Sequence, residues 1–257
     1  MPATGSVPSV PLVAQPSSDW SVGGAIAFTI FVVAAAQLAG VLLLQTANIV
    51  LGFERGSGGA RSPAEIAVSV QLFVAVQVCV QLVQLCLAWW LAGSSTAERR
   101  EALFLIPINL KLKQWLGFVL LLFAVKTLAT MIAAGFTSVS PRDEIEPLRA
   151  LVEQPGTRIA FLVTVVLAGL TEEVIFRGVL SRTLERTRLG FWLGAAVTSL
   201  VFAGIHLQYG AGGQFVVFVI GLTLSWIRAR SGSLWPAVVC HSINNAVALL
   251  ALQSTTR

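Results

Sequence analysis

Two neighbouring glutamates, an arginine four residues further on, two histidines and a pair of asparagines are the residues of this 257-residue chain best suited to chemistry. They occur in Thr171-Glu172-Glu173-Val174-Ile175-Phe176-Arg177-Gly178, in Phe202-Ala203-Gly204-Ile205-His206 and in His241-Ser242-Ile243-Asn244-Asn245. A carboxylate and an imidazole around a trapped water are the parts of a general-base hydrolase. A second imidazole and a carboxamide could donate hydrogen bonds to the oxyanion that forms when water attacks an amide carbonyl. No side chain stands out as a covalent nucleophile: there is no G-x-S-x-G, Ser242 points off the face of His241, and Cys240 has no base sharing its direction. Attack by activated water is the simpler account.

Helical spacing sorts these residues. Glu173 and Arg177 are four apart and share a face, whereas Glu172 points about 100° away, so Glu173 is the glutamate placed to pair with the arginine. Glu172 is the spare carboxylate. Its own face carries Val165, Ala168 and Gly169, which would let another helix or a substrate backbone come close. Phe202 and His206 share a face, as do His241 and Asn245, with Asn244 rotated away by about 100°. The plainer reading of the first group is a buried ion pair that fixes helix packing, with the second glutamate neutralised by protonation. The plainer reading of a lone His or Asn in an apolar helix is an interhelical hydrogen bond.

The elements that must position these groups are membrane helices. Hydrophobic residues make up 56% of the chain and charged residues 11%, roughly half the charged fraction of an ordinary soluble domain. That excludes a disordered chain and argues against a soluble enzyme. The expected fold class is all-α, a polytopic transmembrane helical bundle of about seven spans, with eight as the alternative. The spans fall at residues 22–50, 66–92, 114–136, 158–184, 189–207, 213–227 and 234–252. Residues 1–19, rich in Pro and Ser and without Lys or Arg, read as a flexible tail; 20–140 carry the N-terminal transmembrane helices and 158–252 the catalytic part. Residues 145–153 read as a short interfacial helix or a polar loop.

Seventeen Lys and Arg against twelve Asp and Glu give a net charge of +5. The basic residues lie in short clusters between apolar runs, which suits membrane topology and not nucleic-acid binding. The positive-inside rule places the loops with Arg99 and Arg100, Arg182 to Arg188, and Arg228 and Arg230 on the cytoplasmic side. Counted from that side at about 1.5 Å per residue, Glu172 lies roughly 15 Å deep, His206 roughly 25 Å, His241 roughly 10 Å and Asn245 roughly 17 Å, so helix tilt allows all four to meet. Cys79, Cys86 and Cys240 lie in apolar runs as small hydrophobes. Lys126, inside an apolar run, would snorkel, pair with a carboxylate or touch a lipid head group.

Glu172-Glu173-x-x-x-Arg177, Phe202-x-x-x-His206 and His241-x-x-x-Asn245, in that order on successive helices, resemble the three motifs of the CAAX protease and bacteriocin-processing family, also called the Abi family. That family includes type II CAAX prenyl proteases and proteins similar to lysostaphin resistance protein A. The resemblance covers about residues 158–252. It implies an intramembrane endopeptidase in which Glu172 and His206 activate water, His241 and Asn245 stabilise the oxyanion, and Glu173, Arg177 and Phe202 support the site. It implies no cofactor in the glutamate-type mechanism; the alternative is zinc held by Glu172, His206 and His241, although the chain lacks H-E-x-x-H. The implied partners are membrane lipid and a peptide or protein substrate, lipidated in CAAX processing, and the implied location is a multi-pass integral membrane protein, of the cell membrane if bacterial. Two other classes compete: a non-proteolytic adaptor or immunity protein, and a transporter using the carboxylates as a proton relay, which the lack of an internal repeat disfavours.

Overall fold

The computed structural model describes residues 20–50, 63–137 and 158–254. Among these residues the regular elements are all helical: α1 (Val22–Val50), α2 (Pro63–Leu91), α3 (Thr96–Ala102), α4 (Leu112–Ala134), α5 (Arg158–Glu172), a π-helical segment (Glu173–Ser181), α6 (Arg182–Glu185), α7 (Gly190–Gly204), α8 (Ala211–Ser231) and α9 (Trp235–Ser254). The all-α expectation holds. The tail expected at residues 1–19 and the interfacial stretch expected at 145–153 lie outside the described residues.

Among the described residues three helical stretches are long and apolar enough to cross a membrane: Gln71–Leu91, Leu112–Ala134 and Ala211–Ser231, of 21, 23 and 21 residues. Val22–Leu38, Gly190–Gly204 and Trp235–Ala251 are shorter apolar helices. Large apolar side chains cover much of the surface, while the mostly apolar interior also encloses polar and charged groups. Phe31, Trp90, Leu120, Met131, Trp192 and Leu200 are exposed, while Glu173, Arg177, Ser181, Thr198, Ser199 and Ser225 are completely buried. Such a surface suits lipid contact, and helices suit it because their backbone groups are satisfied within the segment.

The central element is α8, which packs against α4, α7 and α9, while α9 lies along α5 and α1 along α2. Half of α8's apolar window is buried, against 17% in α2 and α4, so α8 is the interior helix and α2 and α4 are peripheral. One end of the bundle is pinned by Phe104. Its φ of 55° is left-handed, a conformation that costs a non-glycine residue about 1–2 kcal/mol. The fold holds it there because the ring lies 4.4 Å from the Arg182 guanidinium and 4.9 Å from that of Arg228. Its carbonyl also accepts the Leu234 N–H at 2.8 Å. Arg228 pairs in turn with Glu185, and Arg182 donates to the Glu101 carbonyl. Next to this junction, α3 starts on a capping box: Ser95 accepts from the Glu98 N–H, and the Glu98 carboxylate accepts from Ser94 and Ser95. The Ser94 hydroxyl, then the Ser94 and Ser95 amides, hold that carboxyl below its usual range.

Candidate active site

The fourth apolar run does not stay α-helical. Its α-helix ends on Glu172, and the nine residues from Glu173 to Ser181, all buried, form a π-helical segment. Bonding from i to i+5 widens the turn, so neighbouring side chains step by less than the roughly 100° of an α-helix. Glu172, the last α-helical residue, and Glu173, the first of the π-helical segment, reach the same imidazole at its two different ring nitrogens, and Glu173 is the one that pairs with Arg177. His241 donates from Nδ1 to Glu173 Oε1 at 2.8 Å, and its Nε2 lies 3.5 Å from Glu172 Oε2. Arg177 Nη1 donates to the same Glu173 oxygen at 2.9 Å, and neither residue of that pair has any exposure. Glu172 keeps 28% of its side chain exposed, which makes it the carboxylate open to water or substrate.

Arg177 also stacks on Phe202, with its guanidinium carbon 4.5 Å from the ring centre. Gly221 of α8 makes room, since a Cβ there would sit 2.9 Å from Arg177 Nη2 and from the Ser199 side chain. Phe202 in turn packs on both histidines, its ring centre 4.7 Å from that of His206 and 5.9 Å from that of His241. His206 lies just past the end of α7 at Gly204, short of the expected span end at 207. Its Nδ1 is 2.7 Å from the Phe202 carbonyl. A carbonyl can only accept, so the proton is on Nδ1 and Nε2 carries the lone pair.

Helix α9 is fastened to α5 by its polar face. Asn245 Nδ2 donates to the Val165 carbonyl at 3.2 Å and Ser242 Oγ to the Val166 carbonyl at 3.0 Å. Gly169 permits this approach: a Cβ there would lie 2.6 Å from Ser242 Oγ and 3.0 Å from the Ser242 backbone nitrogen. Gly169→Val is therefore expected to push α9 off α5 and cost about 1–3 kcal/mol. A lowered midpoint of thermal unfolding in detergent, with hydrolysis falling alongside, is the readout. With its hydroxyl taken by backbone, Ser242 has no free nucleophilic role, as its position in the sequence implies.

The four residues expected to meet do not line one space. His206, His241 and Asn245 line a cavity of about 180 Å³ together with Phe202, Lys126 and Asn244. Glu172 instead lines a second cavity of about 100 Å³ with Gln37 of α1 and Gln77, Gln81 and Gln84 of α2. The 3.5 Å contact between His241 and Glu172 joins the two. The zinc set Glu172, His206 and His241 is likewise not gathered: among the described residues no three His, Cys, Asp or Glu side chains are placed to hold a metal ion. His241 has carboxylates at both ring nitrogens, and His206 has its Nδ1 on the Phe202 carbonyl and lines the cavity that Glu172 does not, so the residues do not fit zinc.

Among the described residues Lys126 bonds a carboxamide and no carboxylate. Its Nζ donates to Asn244 Oδ1 at 2.8 Å, and Asn244 Nδ2 donates to Asn245 Oδ1 at 3.3 Å. Asn244, set aside by its rotation from Asn245, thus belongs to the same polar chain. The glutamines also escape a search for catalytic types, although Gln77, Gln81 and Gln84, at steps of four and three, form a helical stripe visible in the sequence.

Residues 154–247 match the family described as type II CAAX prenyl endopeptidase, Rce1-like. The matched stretch contains the three motifs that carry the resemblance, and the family found is the one they point to. The chain is also 36% identical over 98 residues to an uncharacterized 24.3 kDa protein of Escherichia coli, a match covering 37% of this chain and 45% of that protein. The chain thus spans less than half the length of that curated relative. No solved structure matches.

Proposed function

We propose, with the match of residues 154–247 to type II CAAX prenyl endopeptidases as the premise, that this chain is an intramembrane endopeptidase in which Glu172 activates a water molecule. The observation that carries the reading is the imidazole of His241 held between two carboxylates at the junction of two cavities. On the Glu172 side the glutamine-lined cavity is polar enough to admit water between apolar helices. On the other side, the cavity with His206, His241 and Asn245 takes the peptide.

The water sits at the junction. Glu172 takes its proton as the hydroxide attacks the scissile carbonyl, and the His206 Nε2 lone pair shares the general-base role. Charge then develops on the carbonyl oxygen. His241, as the imidazolium with its Nδ1–H given to Glu173, donates its Nε2–H to that oxyanion, and Asn245 supplies a carboxamide donor after turning from the Val165 carbonyl. Collapse of the tetrahedral intermediate breaks the C–N bond, and the protonated Glu172 returns its proton to the leaving amine. Glu173 and Arg177 act through His241 and not on the substrate.

The site is metal-free in this reading. Hydrolysis is expected to survive 1,10-phenanthroline in protein shown by elemental analysis to hold less than about a tenth of an equivalent of zinc; loss of activity restored by zinc would reverse this. The protein spans the membrane several times, in the cell membrane if bacterial, with its apolar surface against lipid. An apolar cleft of about 730 Å³ between α5 and α9, lined by Leu162, Val166, Leu170, Trp235, Val238 and Ile243, supports an acyl or prenyl chain beside the cut.

The deciding experiment is comparative proteomics of cells carrying the wild type or Glu172→Gln. A cleaved product present only with the wild type names the substrate. A phenotype that depends on the protein and is untouched by Glu172→Gln would favour a non-proteolytic adaptor.

A further inference from the structure

Where α4 begins and α8 ends, a groove of about 330 Å³ opens between the two helices. Gln114 and Arg230 stand at its polar end, and Gly117, Phe118, Leu121 and Trp226 line the rest. From Gln114 to Leu121 it descends about 10 Å along α4. Phe118 and Trp226 meet edge to face, with ring centres 6.4 Å apart. A Cβ on Gly117 would meet nothing within 4 Å, so this glycine leaves open space and not a close helix contact. The polar end is basic. Arg230 is exposed, as are Lys111 and Lys113 at the start of α4, and Lys113 lies one turn above Gly117 on the same face. Among the described residues the ion pairs involve Arg177, Arg228 and His241, and none of these three. The chain has no Asp or Glu from 102 to 142 or from 186 to 257, so neither helix framing the groove supplies a countercharge. Gln114 accepts the Lys111 N–H on Oε1 at 2.9 Å, which leaves its Nε2 hydrogens free to donate.

We propose that this groove binds one anionic phospholipid, its phosphate held by Arg230, Lys113 and Gln114 and the upper part of an acyl chain laid on Gly117 between Phe118 and Trp226. Charge and shape select this occupant together. Uncompensated basic residues at the end of a membrane helix attract anionic headgroups, and basic pockets between membrane helices hold them. The apolar floor beneath gives an acyl chain a place that a soluble anion cannot fill. The charge bias that reads this end of the bundle as cytoplasmic also turns the groove toward the leaflet with the negative surface potential. The groove lies apart from both cavities at His241, so the proposal stands whether or not the chain cuts peptides. Leu122, Leu224 and Ile227 continue the contact of α4 with α8 below the groove. A lipid that bridges the ends of the two helices tightens that contact and stabilises the bundle.

The test is native mass spectrometry and thermal unfolding of the 257-residue chain in dodecylmaltoside, titrated with palmitoyl-oleoyl phosphatidylglycerol or phosphatidylcholine. Phosphatidylglycerol is expected to bind at least about tenfold tighter than phosphatidylcholine, since each basic residue near an anionic group weighs about fivefold. At saturation it should raise the unfolding midpoint by about 5 °C. Lys113→Gln with Arg230→Gln should remove the preference, and Arg230→Lys should keep most of it. Gly117→Phe fills the groove and leaves every charge in place. It should weaken phosphatidylglycerol at least about tenfold, the weight of two buried methylenes, with the lipid-free midpoint unchanged because the space at Gly117 is open. Lys113 and Arg230 are exposed, so the double variant folds whatever becomes of Gly117→Phe. A preference that survives the double substitution overturns the proposal. Binding untouched by Gly117→Phe overturns it too, because the lipid is then held by diffuse surface charge and not by the groove. Glycerol 3-phosphate that displaces the lipid at equal concentration does the same, since the ligand is then a soluble phosphate.

Discussion

Glu172→Gln is expected to lower kcat for peptide hydrolysis by about 10²–10⁴-fold, the usual weight of a positioned general base, while leaving the helical fold and its thermal unfolding unchanged. The two halves of that expectation come from the same environment. Glu172 keeps 28% of its side chain exposed, and its contact with His241 Nε2 is 3.5 Å, a distance too long for a strong hydrogen bond. Packing therefore loses little when the carboxylate becomes a carboxamide of the same shape. The cavity that receives the new side chain already holds Gln37, Gln77, Gln81 and Gln84, so a neutral amide is at home there. What is lost is the capacity to take a proton from water. A kcat within about threefold of wild type, with circular dichroism unchanged, would remove Glu172 from the reaction and leave His206 as the candidate base.

The comparison of Glu172 with its neighbour explains how far a sequence carries such a site. Spacing alone paired Glu173 with Arg177, because two residues four apart on a helix share a face whether the segment is α-helical or locally π-helical, and the 2.9 Å contact has that form. Spacing could not show that Glu172 and Glu173 close on one imidazole. That depends on where α9 brings His241, 68 positions further on, against the π-helical segment that begins at Glu173, and neither that packing nor a nine-residue change of hydrogen-bond register has a periodic signature in an apolar run. The histidines stood out because apolar helices make every polar exception visible. The separation of Glu172, in the second cavity, from both histidines was not legible, since it depends on how α5 packs between α9 and α2. Lys126 and Asn244 were hidden for a related reason: they are 118 positions apart, and only the packing of α4 near α9 makes them a pair. The helix count is similarly partial. Three stretches reach membrane length, whereas α7, with 15 residues, spans about 22 Å against a hydrocarbon core of about 30 Å. His206 is carried just beyond its end, where the chain turns toward α8.

Arg177→Met is expected to destabilise the protein by about 3–5 kcal/mol, because it strands a wholly buried carboxylate. Glu173 and Arg177 have no exposure, and the guanidinium is held by the 2.9 Å ion pair and by the Phe202 ring 4.5 Å away. Replacing the arginine removes the partner that keeps Glu173 tolerable in an apolar interior. Replacing both, as Glu173→Leu with Arg177→Met, removes the charges together, and buried pairs exchanged for apolar residues of similar volume are often neutral or more stable by about 1–4 kcal/mol. Thermal unfolding in detergent should therefore fall steeply in the single variant and recover in the double one. Hydrolysis should not recover with it. His241 gives its Nδ1 proton to Glu173 at 2.8 Å, and a leucine cannot accept it, so the ring loses the contact that fixes both its rotation and the state of Nε2. A stable, inactive double variant separates the two duties of this ion pair: the charges cancel for the fold, while the carboxylate is what orients the imidazole. A double variant that regains both stability and full kcat would reduce Glu173 and Arg177 to a packing device and transfer the orientation of His241 to Phe202, whose ring edge meets it at 5.9 Å.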